Sequence, residues 1–198
     1  MSFKVSFWKR PFRLIIAIAV GAYFAPSVAL AVNVTADKTI SADTTVQQRI
    51  TADNVTLTID NNATVELLTE SLKSNNLRSG VTFIIESGSS VIASGTSGDD
   101  KDKAIRANVN TNLTITNSGT ISAAAADVIK ITSSTNPTIT NNAGGVITGA
   151  TDAIEAGSTT NATITNSGTI YITSSQNAIR MTSATGATVT NNAGGEIY

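Results

Sequence analysis

Apolar and polar positions alternate in short bursts along the second half of this chain, and the bursts return at a fixed spacing. In "LTITN" at 113–117 the alternation puts Leu113, Ile115 and Asn117 on one side and Thr114 and Thr116 on the other. "TITN" recurs at 138–141 and 163–166 and "TVTN" at 188–191, so the centres Ile115, Ile139, Ile164 and Val189 step by 24, 25 and 25. A second anchor, in "KAIRA", "DVIKI", "DAIEA" and "NAIRM", places Ile105, Ile129, Ile154 and Ile179 at the same steps. A third apolar series, Ile121, Ile147, Ile170 and Ile197, follows the turns. Two anchors sharing one period mark an internal repeat rather than low complexity. Each burst is rich in Val, Ile and Thr and bounded by Gly, Asn or Ser, which predicts strands. None is long enough to fold back on itself. Three strands per unit, each stacked in parallel on its copy in the next, predict an all-β, right-handed parallel β-helix of 24–25 residues per coil.

The turns refine this. Asn117, Asn141, Asn166 and Asn191 share one coil position on the inward side, which predicts a column of amides hydrogen-bonded along the axis. Gly119, Gly144, Gly168 and Gly194 follow them, as corners with unusual dihedral angles require. Short "NSG" and long "NNAGG" turns alternate, so the true unit is a pair of coils: Asn117 to Asn166 is 49 residues and Asn141 to Asn191 is 50. Upstream, "NVTLTIDNNATV" (54–65) and "VTFIIESGSSVI" (81–92) carry the pattern at looser spacing, with 26 residues from Ile59 to Ile85 and 30 from Ile85 to Ile115. Residues 32–100 therefore read as irregular coils with insertions, and 101–198 as regular coils cut off at the C-terminus. Leu67, Leu68 and Leu72 predict a short helix in the insertion at 66–76. A second insertion, 94–103, reads as a polar loop.

The N-terminus has a different character. Lys4, Lys9, Arg10 and Arg13 precede an apolar run at 14–25, and Ala29-Leu30-Ala31 supplies small residues at a cleavage point. This is the pattern of a secretory signal peptide at 1–31; the apolar run is shorter than the ~20 residues that span a bilayer. Its removal leaves 9 basic and 14 acidic residues, a net charge of −5, and only Phe83, Tyr171 and Tyr198 as aromatics. An acidic chain so poor in rings lacks the footprint of a nucleic-acid binder. There is no Cys and no His, which removes disulfides, His-based triads and the usual zinc sites.

Few residues remain for chemistry, and the expectation is no catalytic residue, no cofactor and no metal. Arg106, Lys130, Glu155 and Arg180 occupy one coil position, with Lys103, Asp127, Asp152 and Asn177 in the neighbouring column. A base beside carboxylates suits a polysaccharide lyase, but a solvated charge ladder is the plainer outcome. "SGDDKDK" in the 94–103 loop has acids for calcium, with lysines competing for them. The outward pairs Thr114/Thr116, Thr138/Thr140, Thr163/Thr165 and Thr188/Thr190 form two hydroxyl columns, candidates for surface contact and reminiscent of β-helical ice-binding faces.

The units "AIxA…TITNSGTI" and "TITNNAGGVI", behind a signal peptide, resemble the passenger-domain repeats of bacterial autotransporters. The likeness covers 101–198 well and 51–100 loosely. It implies an exported β-helix at the cell surface, in the outer membrane or secreted, acting in adhesion or aggregation. It also implies a downstream outer-membrane β-barrel as partner, which these 198 residues do not contain, so the chain is expected to be a fragment. The remaining expected partners are a host surface or a second copy.

Overall fold

The computed structural model describes residues 31–74, 76–98 and 101–198, and these form strands, turns and loops with no helix. The expected signal peptide, apart from Ala31, lies outside the described residues. Every strand pairing is parallel, and the chain winds through three sheets of seven, seven and six strands. The first sheet stacks Val32–Val34, Gln48–Ile50, Leu72–Ser74, Ile105–Arg106, Ile129–Lys130, Ile154–Glu155 and Ile179–Arg180. The second stacks Lys38–Ile40, Thr56–Ile59, Thr82–Ile85, Thr114–Asn117, Thr138–Asn141, Thr163–Asn166 and Thr188–Asn191. The third stacks Thr64–Leu67, Ser90–Ala93, Thr120–Ala123, Val146–Gly149, Thr169–Ile172 and Glu196–Ile197. This is a parallel β-solenoid.

Alternation makes the core. Leu57, Phe83, Ile115, Ile139 and Ile164 lie in register in the second sheet and are fully buried, as are Val65, Val91, Ile121, Ile147 and Ile170 in the third. Like side chain sits on like at about the 4.8 Å strand spacing, so each coil closes the floor of the one before. At the N-terminal end Lys38 Nζ donates to Gln48 Oε1 at 2.7 Å, a polar plug over the first coil. At the other end Val189, with nothing stacked on it, is 44% exposed.

Two expectations change. The helix predicted at 66–76 is absent: Thr64–Leu67 and Leu72–Ser74 are strands of different sheets, with Leu67 and Leu72 buried on either side of a corner and Leu68 turned outward. Apolar residues flanking a bend mimic helical spacing when read along a line. The upstream register also shifts by two. Ile59 faces Ile85, but Ile85 faces Asn117 and Phe83 faces Ile115. The 94–103 loop makes that coil longer, and because the shift is even, every side chain keeps its face.

The corner between the first and second sheets carries a pattern of its own. Leu77, Val109, Ser133, Ser158 and Ser183 have φ of 63°, 56°, 56°, 54° and 59°. Three residues later Gly80, Asn112, Asn136, Asn161 and Gly186 are left-handed too, at 65°, 53°, 50°, 54° and 62°. Asn and Gly tolerate this region, whereas Leu and Val are strained in it.

Candidate functional site

Three columns of side chains run along the solenoid. The first is internal. Asn117, Asn141 and Asn166 are fully buried where the second sheet turns toward the third. Asn117 Nδ2 donates to Asn141 Oδ1, Asn141 Nδ2 to Asn166 Oδ1 and Asn166 Nδ2 to Asn191 Oδ1, each at 2.8 Å. The same amides donate to Gly119, Gly145 and Gly168 carbonyls at 3.1–3.2 Å. Buried corner carbonyls are thereby satisfied. Upstream the column continues as Ile85 and Ile59, so the amides begin only at the fourth strand of the sheet counted from Ile40.

The glycines beside this column divide by mechanism, which corrects the expectation of unusual dihedrals at all four. Gly144 and Gly194 do have positive φ, 81° and 84°. Gly119 and Gly168 do not; a Cβ there would lie 2.2 Å from the Ser89 or Gly145 carbonyl oxygen. The short turn needs glycine because it nests against the long turn of the preceding coil.

The second array is the outer face of the second sheet. Thr56, Thr82, Thr114, Thr138, Thr163 and Thr188 stand in one register column. Thr58, Ile84, Thr116, Thr140, Thr165 and Thr190 stand in the next, interrupted once by the isoleucine. Asn142 donates to Ser118 at 2.9 Å and Asn192 to Ser167 at 2.8 Å along one flank. On the other flank Asn136 donates to Asn112 at 3.1 Å and Asn161 to Asn136 at 3.2 Å. Sequence reasoning missed this outer Asn ladder. Its signal is the Asn or Gly two residues before each "TxTN", a substitution pair that points to left-handed backbone.

The third array is the charged one, on the first sheet. Register places Arg49, Lys73, Arg106, Lys130, Glu155 and Arg180 in one column. Three residues earlier stand Glu70, Lys103, Asp127, Asp152 and Asn177. Glu70 accepts from Arg106 at 2.7 Å and Lys73 at 3.1 Å, and Lys103 pairs with Asp127 at 3.6 Å. Lys130 pairs with Glu155 at 3.0 Å, and Arg180 reaches Asp152 at 3.1 Å and Glu155 at 3.5 Å. These charges are not solvated in the way the repeat suggests. The side chains of Lys103 and Asp152 are 3% exposed, because residues three apart in one coil and stacked between coils cover one another. Asp152 also accepts from the Asn177 backbone N–H and Nδ2 at 3.1 and 3.2 Å. Glu70 itself escaped the sequence reading, because the long coil hides its register with Lys103.

Concave surface is modest. A depression of about 330 Å³ lies among Lys73, Ser74, Asn76 and Arg106, and one of about 380 Å³ among Asp43, Thr44, Thr45, Thr64 and Glu66. In the 94–103 loop, Asp102 is buried and accepts from Ser97 N and Oγ; Asp99 and Asp100 lie outside the described residues. Among the described residues no group of three or more His, Cys, Asp or Glu is placed to hold a metal ion.

No family model and no curated protein sequence matches the chain. Among solved structures, that of a candidate glycosyl hydrolase from Parabacteroides merdae is similar, with a TM-score of 0.63 over 83% of this chain and 84% of that one, at 11% identity. At that identity the likeness is one of fold.

Proposed function

We propose that this chain is an exported β-solenoid of the autotransporter-passenger kind, a structural or adhesive module displayed at the cell surface or released from it. It acts by contact along its faces, not by turnover. What carries this reading is the commitment of the charged face: Glu70, Asp127, Asp152 and Glu155 each already hold a lysine or arginine. A general acid or base needs a carboxyl able to exchange its proton with substrate in a cleft. The long threonine and asparagine columns supply contact surface, the downstream partner is an outer-membrane β-barrel, and the outside partner is a host surface or a second copy.

The test has two arms. Protein recovered from a Gram-negative host should begin at Val32, and beads coated with it should adhere or aggregate. Incubation with acidic polysaccharides, with or without calcium, should release no product.

A second reading, a glycan-active enzyme, is favoured by the fold likeness to the P. merdae protein together with Asp127 and Asp152 on neighbouring coils beside Lys130. Turnover that disappears in Lys130→Ala or Asp152→Ala would establish it and remove the contact reading.

A further inference from the structure

Charge is unevenly spread over the molecule. The region beyond residue 31 carries 9 basic and 14 acidic residues, yet the charged column of the first sheet opens with four cations in succession, Arg49, Lys73, Arg106 and Lys130. Lys103 stands beside Arg106, three residues earlier in its coil. Over the rungs of Arg49, Lys73 and Arg106 the column bears three partly exposed cations against one carboxylate, Glu70, which Lys73 and Arg106 share, while Lys103 is buried against Asp127 of the next rung. Arg49 donates to the neutral Gln47 at 3.2 Å, and its buried Nε has no hydrogen-bond partner. The depression among Lys73, Ser74, Asn76 and Arg106 opens on this same stretch, and the side chains of Lys73 and Arg106 are each 28% exposed.

A second peculiarity falls on the same rungs. Leu77 and Val109 are stacked, with Leu77 N donating to Val109 O at 2.9 Å, and they are 76% and 36% exposed. Both hold left-handed backbone at a corner where the later coils use Ser133, Ser158 and Ser183. Bulky apolar side chains are therefore kept in water, on unfavourable dihedrals, beside the basic end of the column.

We propose that this end of the first sheet binds a linear polysaccharide with a carboxylate on its repeating sugar, laid along the solenoid axis. The inference rests on the contact-module reading and names its ligand. The partly exposed cations Arg49, Lys73 and Arg106 make a row about 10 Å long at the strand spacing of about 4.8 Å. A polyuronate carries one carboxylate per sugar, successive ones turned to different sides, so that a carboxylate facing the row recurs every second or third sugar. Arg and Lys take the carboxylates while Leu77 and Val109 lie against the apolar C–H face of a ring. Nucleic acid fits less well. No aromatic side chain stands here to stack a base, and phosphates recur every ~3.4 Å along each strand of a duplex.

The probe is polygalacturonate, with its fully methyl-esterified form as the uncharged control, titrated against the full chain at several salt concentrations. Binding should vanish with esterification and weaken with salt. Lys73→Gln and Arg106→Gln should each lower the slope of log affinity against log salt by about 0.7–1, while Arg78→Gln, which removes a cation paired with Asp53 outside the column, should not. Leu77→Glu touches no ion pair and sits on an exposed turn, so it should weaken binding in a protein that still melts as wild type does. Equal binding of both polymers, tighter binding of duplex DNA, or full binding by folded Leu77→Glu and Arg106→Gln would overturn the proposal. If beads coated with wild-type protein adhere while polygalacturonate is not bound, the ligand is wrong and the contact reading stands.

Discussion

Asn166 and Thr165 are neighbours in sequence and opposites in the fold. Asn166 is fully buried and donates to Asn191, Gly168 and Glu196 oxygens while accepting from Asn141. Asn166→Ala leaves those groups short of partners and should cost on the order of 1–3 kcal/mol in urea unfolding. Thr165→Ala loses strand preference and cross-strand contact alone, within about 1 kcal/mol. Equal losses would mean that the facing is wrong by one residue. The glycines give a second contrast. Gly144 has φ of 81° with open space around it, so Gly144→Ala should cost roughly 1–2 kcal/mol of backbone strain and Gly144→Asn less. Gly168 has ordinary dihedrals, but its Cβ would meet two backbone oxygens at 2.2 and 2.5 Å. Gly168→Ala should cost about 3 kcal/mol or more, and Asn should not rescue it. The thermal midpoints of the four variants order the two mechanisms.

At the scale of strands and turns, the stacking is legible in the sequence because an apolar residue returns at the same step in two places per coil, and a third series alternates around that step as the turns alternate in length. Column membership among Arg106, Lys130, Glu155 and Arg180 follows from that period alone. Two things do not. Leu67 and Leu72 flank a bend, and a linear reading cannot tell a corner from a helical turn. The depth of the charged columns depends on residues three apart closing over their neighbours, a property of packing between coils that no single coil displays. That depth has a measurable consequence. Asp152→Ala frees the Arg180 guanidinium, which keeps Glu155 and water, and the exposed Asn177 amide, and should cost less than about 1 kcal/mol. Arg180 is 46% exposed but Asp152 only 3%, so Arg180→Ala leaves the buried carboxylate with the Asn177 donors alone and should cost more, about 1–3 kcal/mol. Chemical denaturation of both variants should show this asymmetry; equal costs would count against the burial described.

Over the whole molecule each coil touches only its neighbours, so whole blocks can be removed if the faces left behind match. Deleting 118–166 joins Asn117 to Ser167 and recreates "TITNSGTI", with a short turn again nested on the long turn that ends at Ser89. Deleting only 142–166 makes a locally identical junction but sets short turn on short turn. The shorter protein should therefore melt higher than the longer one, by about 3 °C or more, with circular dichroism reporting strand content in both. A reversed order would mean that the alternation of turns carries no energy. If the order stands, the nesting of Gly168 against Gly145 is a rule of inheritance as much as of packing. Unequal crossing-over between the repeats yields stable products in steps of two coils, so a lineage carrying this module can change the length of its solenoid in increments of about 10 Å without redesigning a single interior contact.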